Sequence, residues 1–174
     1  MKPFASIPEQ IPRSGIREVM DLAWAVEKTG EVIHLEVGQP DFDTPAHIVE
    51  ATCRHVRDGQ TKYVPNAGVD LLREAAARYF ERNTGVATTP DHILVTPGAV
   101  MSVASSFLAL LEPGDEVLLP DPGWPNYHMA VSIVHGQPVF YNLRAENHFL
   151  PDLAEIERRV SSKTKLILLC TPSN

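Results

Sequence analysis

The sequence predicts an α/β fold, a mostly parallel sheet with helices on both faces, and three observations support this prediction. From residue 92 onward, short apolar segments typical of buried strands alternate with segments of helical spacing. The connections are short, and turn residues such as Pro113 and Gly114 mark where elements end. A chain of 174 residues is also long enough to bury one substantial core. Such alternation is typical of a doubly wound architecture.

The amino-terminal part of the chain lies outside this alternation. Ser14 can cap a helix over residues 14–28, with Gly30 as its stop signal, and an apolar run predicts a short strand over residues 32–37. We therefore assign residues 1–45 to an amino-terminal arm and part of a small domain. Residues 46–174 are assigned to a large domain, and we expect that domain to be incomplete at its carboxyl end.

The remaining elements follow from periodicity and from stop signals. Two helices, over residues 46–58 and 69–83, end near Gly59 and Gly85. The alternating part is predicted as strands at 92–96, 116–120, 138–143 and 165–170, with helices at 99–111, 127–135 and 152–160 between them.

Composition and charge exclude several classes of partner. The 22 acidic and 15 basic residues give a net charge of −7, which opposes binding to nucleic acid. No apolar run approaches the ~18 residues of a membrane span, so we expect no membrane partner. Cys53 and Cys170 lie in apolar stretches, which predicts two reduced, buried thiols and a cytoplasmic protein. The histidines and cysteines lack metal-ligand spacing, and we predict no metal site.

One turn has the features of a phosphate-binding site. The predicted strand 92–96 runs through Pro97 and Gly98 straight into a helix. A helix start offers unpaired backbone N–H groups, and glycine lets the backbone approach a ligand closely. The turn lacks the signatures of a Walker loop and of a dinucleotide fingerprint. An ordinary β–α turn therefore remains the alternative.

Two aromatic residues are candidates on local grounds alone. Trp124 stands between two prolines, in a loop after a predicted strand, where it covers either the edge of the core or a flat ligand. Tyr63 lies in an irregular loop and has a hydroxyl group that could bind a phosphate. Its alternative role is that of a half-buried surface tyrosine.

Six segments, taken in order, resemble the amino-terminal half of class I/II aminotransferases, which are pyridoxal-phosphate enzymes with the aspartate aminotransferase fold. The resemblance covers nearly the whole chain from about Ser14, and the ordered series is more specific than any single segment. The segments are Val37 to Pro45, Lys62-Tyr63 with Gly68 and Leu72 to Ala75, Thr96 to Ala99, Glu112 to Val117, Pro122 to Tyr127, and Thr171 to Asn174.

The resemblance implies a set of residues that bind pyridoxal 5′-phosphate. Gly98, Ala99 and Val100 match the turn whose amides hold the cofactor phosphate. Many relatives have a polar side chain where this sequence has Ala99 and Val100, so backbone donors would carry the binding. Trp124 matches the aromatic residue that stacks on the pyridine ring, and Asn174 matches the asparagine that binds the ring's phenolic oxygen.

The same resemblance implies roles in substrate binding and assembly. Gly38 matches the glycine whose backbone meets the substrate carboxylate. Tyr63 matches a tyrosine that reaches the cofactor phosphate of the neighbouring subunit, which implies a homodimer. The family's Schiff-base lysine, its pyridinium-binding aspartate and its carboxylate-binding arginine would all lie beyond Asn174. We therefore expect no catalytic residue within these 174 residues, and we expect the chain alone to be inactive.

The resulting functional hypothesis is a transaminase that passes an amino group from an amino acid to a 2-oxo acid through pyridoxal phosphate. Two alternatives remain at this point. The first is a pyridoxal-phosphate lyase acting on sulfur amino acids, and the second is a non-catalytic domain of aminotransferase type that senses a ligand.

Overall fold

A computed structural model describes residues 6–11 and 13–172 of the chain. These residues form two compact units, one made of the chain up to Gly38 together with the chain from Val100, and the other made of Gln39–Ala99. The helices of the described residues are α1 (Ile7–Gln10), α2 (Gly15–Glu27), α3 (Ala46–Arg57), α4 (Asp70–Thr84), α5 (Ala99–Leu110), α6 (Pro125–Ile133) and α7 (Leu153–Arg159), with short 3-10 turns at Pro90–His92 and Ala145–Asn147.

The first unit contains a three-stranded parallel sheet made of β1 (Glu116–Asp121), β2 (Gln137–Asn142) and β3 (Thr164–Ile167). The strand order is β2-β1-β3, so β1 pairs on both sides, with Leu118 opposite Val139 and Ile167. Four consecutive residues of β1 are buried. This agrees with the continuous apolar run of the sequence, which is typical of a strand covered on both faces.

Helices cover both faces of this sheet, which confirms the predicted fold class. Because successive side chains point to opposite faces, Val117 and Leu119 pack on one side and Leu118 on the other. The first side is closed by residues of α5 and α6, including Phe107 and Val131. The second cluster joins Leu118 to Tyr141, Leu143, Val139 and Ile156, the last of which lies on α7.

The start of α7 agrees with its sequence signal. The Asp152 side chain accepts hydrogen bonds from the amides of Ala154, at 2.9 Å, and Glu155, at 3.3 Å. These bonds satisfy two of the amides that a helix start leaves without partners. The run of charged residues Glu155, Glu157, Arg158 and Arg159 predicts a solvated helix face. For Glu155 this prediction is wrong, because its side chain is buried against the end of β2.

The second unit is helical. Helices α3 and α4 agree with the two predicted helices, and α4 ends at Gly85, which has the left-handed conformation of a helix cap. The predicted burial of Cys53 is wrong, because α3 has no buried residue and Cys53 is exposed. Cys170, in the first unit, is half-buried, and both thiols are free.

Two predicted strands are absent. Residues 32–37 and 92–96 have an apolar pattern, but neither segment pairs with a strand in the described structure. Ile33 and Leu35 are 83% and 89% exposed. In the second segment the Val95 amide bonds to the carbonyl of Ala67, which lies in a loop. A pattern of apolar residues predicts an extended segment, but a strand also needs a neighbour with which to form a ladder.

Candidate functional site

The turn into α5 is built around a glycine that the backbone requires. Gly98 has φ of +85°, a conformation that strains residues with a side chain. Its amide donates to the Thr96 carbonyl at 2.8 Å, and the Thr96 hydroxyl donates to the Gly98 carbonyl at 3.0 Å. Gly98, Ala99 and Val100 are all exposed.

This turn can bind an anion through its backbone. Helix α5 begins at Ala99, so the amides of its first turn have no acceptor within the helix. The helix dipole adds partial positive charge at the same end. A bound phosphate would therefore be held by backbone N–H groups, since the side chains of Ala99 and Val100 offer no hydrogen bonds.

Trp124 lies between the end of β1 and the start of α6. Its ring contacts that of Tyr127 at 5.3 Å between centroids, with the ring planes 85° apart, and it packs against the core beside α6. The core-edge reading of Trp124 is thus part of its role. A perpendicular contact occupies at most one of the two indole faces.

Trp124 also lines a small open pocket. The pocket has a volume of about 110 Å³, and Asp121, His128 and Phe140 are among its other lining residues. The rings of His128 and Phe140 meet at right angles, at 5.6 Å between centroids. Trp124 therefore belongs both to the edge of the core and to the wall of this open pocket.

Sequence analysis did not single out Tyr127 as a candidate residue. Burial, and then the neighbouring Cys170 thiol, raise the pKa of Tyr127 to about 12, so its phenol stays protonated at neutral pH. The available signal was its spacing from Trp124. Residues three apart at a helix start lie on one side of the helix, where their rings can meet.

Of the other predicted residues, the structure describes Tyr63 and Gly38. Tyr63 is fully exposed in the loop between α3 and α4, and Gly38 is exposed at the end of the irregular segment after α2. Asn174 lies outside the described residues. Tyr63, Gly98 and Ala99 are in the Gln39–Ala99 unit, whereas Gly38, Val100 and Trp124 are in the other.

Comparisons with known proteins agree on one family. The sequence profile described as "Aminotransferase class I and II" matches residues 30–174. The aspartate aminotransferase of Pyrococcus horikoshii is 40% identical over 164 residues, which cover 94% of this chain and 41% of that protein. A bifunctional aspartate aminotransferase and glutamate/aspartate-prephenate aminotransferase of Petunia hybrida is 41% identical over 157 residues, covering 90% of this chain and 33% of that protein.

Solved structures give the same result. The aspartate aminotransferase from Thermus thermophilus with maleate matches with a TM-score of 0.94 at 34% identity, over 100% of this chain and 46% of that one. An alanine aminotransferase from Pyrococcus furiosus matches with a TM-score of 0.94 at 34% identity, over 99% and 44% of the two chains. The chain thus spans less than half the length of these relatives. No helix in the described residues is long and apolar enough to cross a membrane.

Proposed function

The chain belongs to the family of class I and II aminotransferases, and on this premise we propose that the whole protein is a pyridoxal-phosphate-dependent transaminase. It moves an amino group from an amino acid to a 2-oxo acid. Aspartate is the amino donor that we propose, because the relatives from Pyrococcus horikoshii and Petunia hybrida carry that activity in their names.

The turn at Gly98 is the observation that carries this proposal. Pyridoxal phosphate combines a phosphate with a flat ring, and the family resemblance assigns the Gly98 turn to the phosphate and Trp124 to the ring. The exposed helix start after Gly98 supplies backbone donors for the phosphate. Trp124, beside an open pocket, supplies a flat aromatic surface for the ring. When bound, the cofactor supplies an electron sink for negative charge on the α-carbon of the substrate.

Each of the predicted cofactor-binding residues has a proposed role that follows from its chemistry. The amides of Gly98, Ala99 and Val100 bind and orient the phosphate. Trp124 packs on one ring face and excludes water from it, which strengthens the polar contacts nearby. The Asn174 side-chain amide donates a hydrogen bond to the ring's phenolic oxygen, a role that remains a prediction from the resemblance.

Substrate binding and assembly are proposed on the same basis. The Gly38 amide donates a hydrogen bond to the substrate carboxylate. Tyr63, which is exposed enough to contact a second subunit, donates its hydroxyl to the cofactor phosphate of the partner in a homodimer. The lysine that bonds to the cofactor belongs, in this proposal, to a part of the protein that follows Asn174.

An assay of the whole protein with several donors tests the reaction. We expect aspartate and 2-oxoglutarate to yield oxaloacetate and glutamate. We expect this reaction to be faster than the same reaction with alanine as the amino donor. Release of ammonia from a sulfur amino acid without any 2-oxo acid would instead indicate a lyase. Ligand binding without turnover of any donor would favour a sensing domain.

The role of the turn has a matched control. Gly98→Ala should weaken cofactor binding, because the backbone conformation that aims the amides is strained for alanine. Gly59 has a similar φ of +73° with nothing near the place of a side chain. Gly59→Ala therefore imposes comparable strain elsewhere, and it should leave cofactor affinity unchanged. Equal affinities in the two variants would contradict the assignment.

A further inference from the structure

The extended segment before Gly98 is held in place without a sheet. Arg73 on α4 provides one set of contacts, and its side chain is only 15% exposed. Its Nη2 donates to the Pro90 carbonyl at 2.7 Å and its Nε donates to the Ile93 carbonyl at 3.2 Å. Asp70, one turn earlier on α4, accepts from Nη1 at 3.1 Å. The guanidinium therefore binds one carbonyl of the 3-10 turn Pro90–His92 and one carbonyl of the extended segment that follows it.

A second contact holds the same segment three residues before Gly98. The Val95 amide donates to the Ala67 carbonyl at 3.0 Å. The adjacent Gly68 has φ of +100°, and a Cβ there would lie 2.6 Å from Val95 Cγ2 and 2.7 Å from Val95 Cβ. The loop between α3 and α4, which contains Tyr63 and Gly68, therefore approaches Val95 closely only because residue 68 is a glycine.

These two contacts restrict where the turn can lie. Only Thr96 and Pro97 separate Val95 from Gly98, and proline fixes one of the intervening backbone angles. Hydrogen bonds to a phosphate weaken steeply when their angle is lost. A displacement of Val95 would therefore be passed on to the amides at the start of α5.

We propose that Arg73, together with the Val95–Gly68 contact, positions the Gly98 turn for the cofactor phosphate. Arg73 is a positioning residue in this scheme, because its own contacts are with Pro90, Ile93 and the two aspartates near them. The inference rests on the proposed function, which places the phosphate at this turn. It adds a determinant of cofactor affinity outside the turn itself.

Lysine cannot replace Arg73 in this arrangement. The two carbonyls are reached by different nitrogens of one planar group, whereas the lysine ammonium is a single point of charge. Arg73→Lys keeps the charge and most of the stem while it removes the simultaneous contacts. Val95→Ala is a milder second variant that removes the side chain packed against Gly68.

The test compares the affinity of the whole protein, freed of cofactor, for pyridoxal phosphate and for pyridoxal, which has no phosphate. We expect the ratio of the two affinities to fall roughly tenfold in Arg73→Lys, the loss for one misaligned hydrogen bond to a charged group. Val95→Ala should lower the ratio in the same direction. Partial unfolding weakens both affinities by the same factor, so it cancels from the ratio.

Arg78→Lys is the matched control, because Arg78 lies on the same helix but is 68% exposed and pairs with Glu74 at 3.7 Å. The ratio of the affinities for pyridoxal phosphate and pyridoxal should be the same in Arg78→Lys as in the parent protein. An unchanged ratio in both Arg73→Lys and Val95→Ala would overturn the inference, even if those variants were less stable. A parent protein that binds pyridoxal as tightly as pyridoxal phosphate would overturn the proposed phosphate site, and the inference with it.

Discussion

Trp124 is oriented by one neighbouring ring. The perpendicular contact with Tyr127 fixes the plane of the indole, and Tyr127 is itself buried beside Cys170. A ring that is fixed before the ligand arrives loses little conformational freedom on binding. The position of Trp124 therefore favours stacking with a flat ring in an orientation set by the start of α6.

Substitutions of Trp124 separate stacking from simple apolar contact. In the whole protein, Trp124→Leu should weaken binding of pyridoxal phosphate by about two- to twelvefold, because stacking is worth about 0.5–1.5 kcal/mol beyond burial. Trp124→Phe keeps an aromatic ring and should lose less. Fluorescence titration of the cofactor measures both affinities, and equal losses in the two variants would argue against stacking.

Glu155 joins the end of β2 to α7. Its carboxylate accepts hydrogen bonds from the Asn142 backbone amide at 3.2 Å and from the Asn142 side chain at 2.6 Å, and Arg159 Nη2 lies 3.4 Å away. The backbone bond from Asn142 is the largest cause that lowers the pKa of Glu155 below its usual value. The ionised form is therefore the one that stabilises the fold.

This lowered pKa has a defined effect of pH on stability. A carboxyl group whose pKa falls on folding stabilises the protein at any pH above the pKa of the unfolded state, which is 4.5 for Glu155. This stabilisation is lost as the pH falls through the lower pKa of the folded state. We expect Glu155→Gln to lower the denaturant midpoint at neutral pH, with a difference from the parent that narrows below pH 4.5. Glu157→Gln, on an exposed position of α7, should show no such narrowing.

Strand β1 is the element on which the first unit depends most. Leu118 is fully buried, and it pairs with a neighbour on each side. Leu118→Ala should lower the free energy of unfolding by about 2–5 kcal/mol, because it leaves a cavity in a packed core. Leu153→Ala removes an exposed leucine and should change it by less than about 0.5 kcal/mol. Denaturant unfolding, followed by circular dichroism, measures the free energy of unfolding of both variants and of the parent.

The elements show what a pattern of residues can and cannot predict. β1 was predictable because a run of buried apolar residues has few other uses, and α7 because Asp152 marks its start. The apolar pattern of residues 92–96 predicts a strand, yet the Val95 amide bonds to Ala67 and the Ile93 carbonyl bonds to Arg73. Partners that are distant in sequence leave no local signal, and for the same reason the burial of Glu155 was missed.

The residues predicted for cofactor and substrate binding belong to two compact units, and the proposed dimer would add residues of a second chain. Gly98 and Trp124 are predicted from local sequence, because the signal for each lies within one short turn or loop. The roles that we propose for Tyr127 and Arg73 depend on their contacts with other residues, and only the three-dimensional structure shows those contacts. The proposed contact of Tyr63 with a partner subunit is more remote still, since it depends on a second chain.

Mixed dimers test that contact. One subunit carries Tyr63→Phe, and the other keeps Tyr63 but lacks the lysine that we place after Asn174. If Tyr63 acts on the partner, the single site with a lysine receives an intact tyrosine, and it should regain the cofactor affinity that the Tyr63→Phe homodimer loses. Affinity no better than that of this homodimer would mean that the contact is made within one subunit or is absent.

The central place of β1 also decides how the molecule exchanges its amide hydrogens with deuterated water. Amides of a strand that is paired along both edges and covered on both faces exchange only when the whole unit opens. Amides of segments without such pairing exchange through local fluctuations. Leu118 should therefore be among the slowest to take up deuterium, and Ile33 and Leu35 among the fastest. The uptake rate of one strand would then report the opening free energy of the entire first unit.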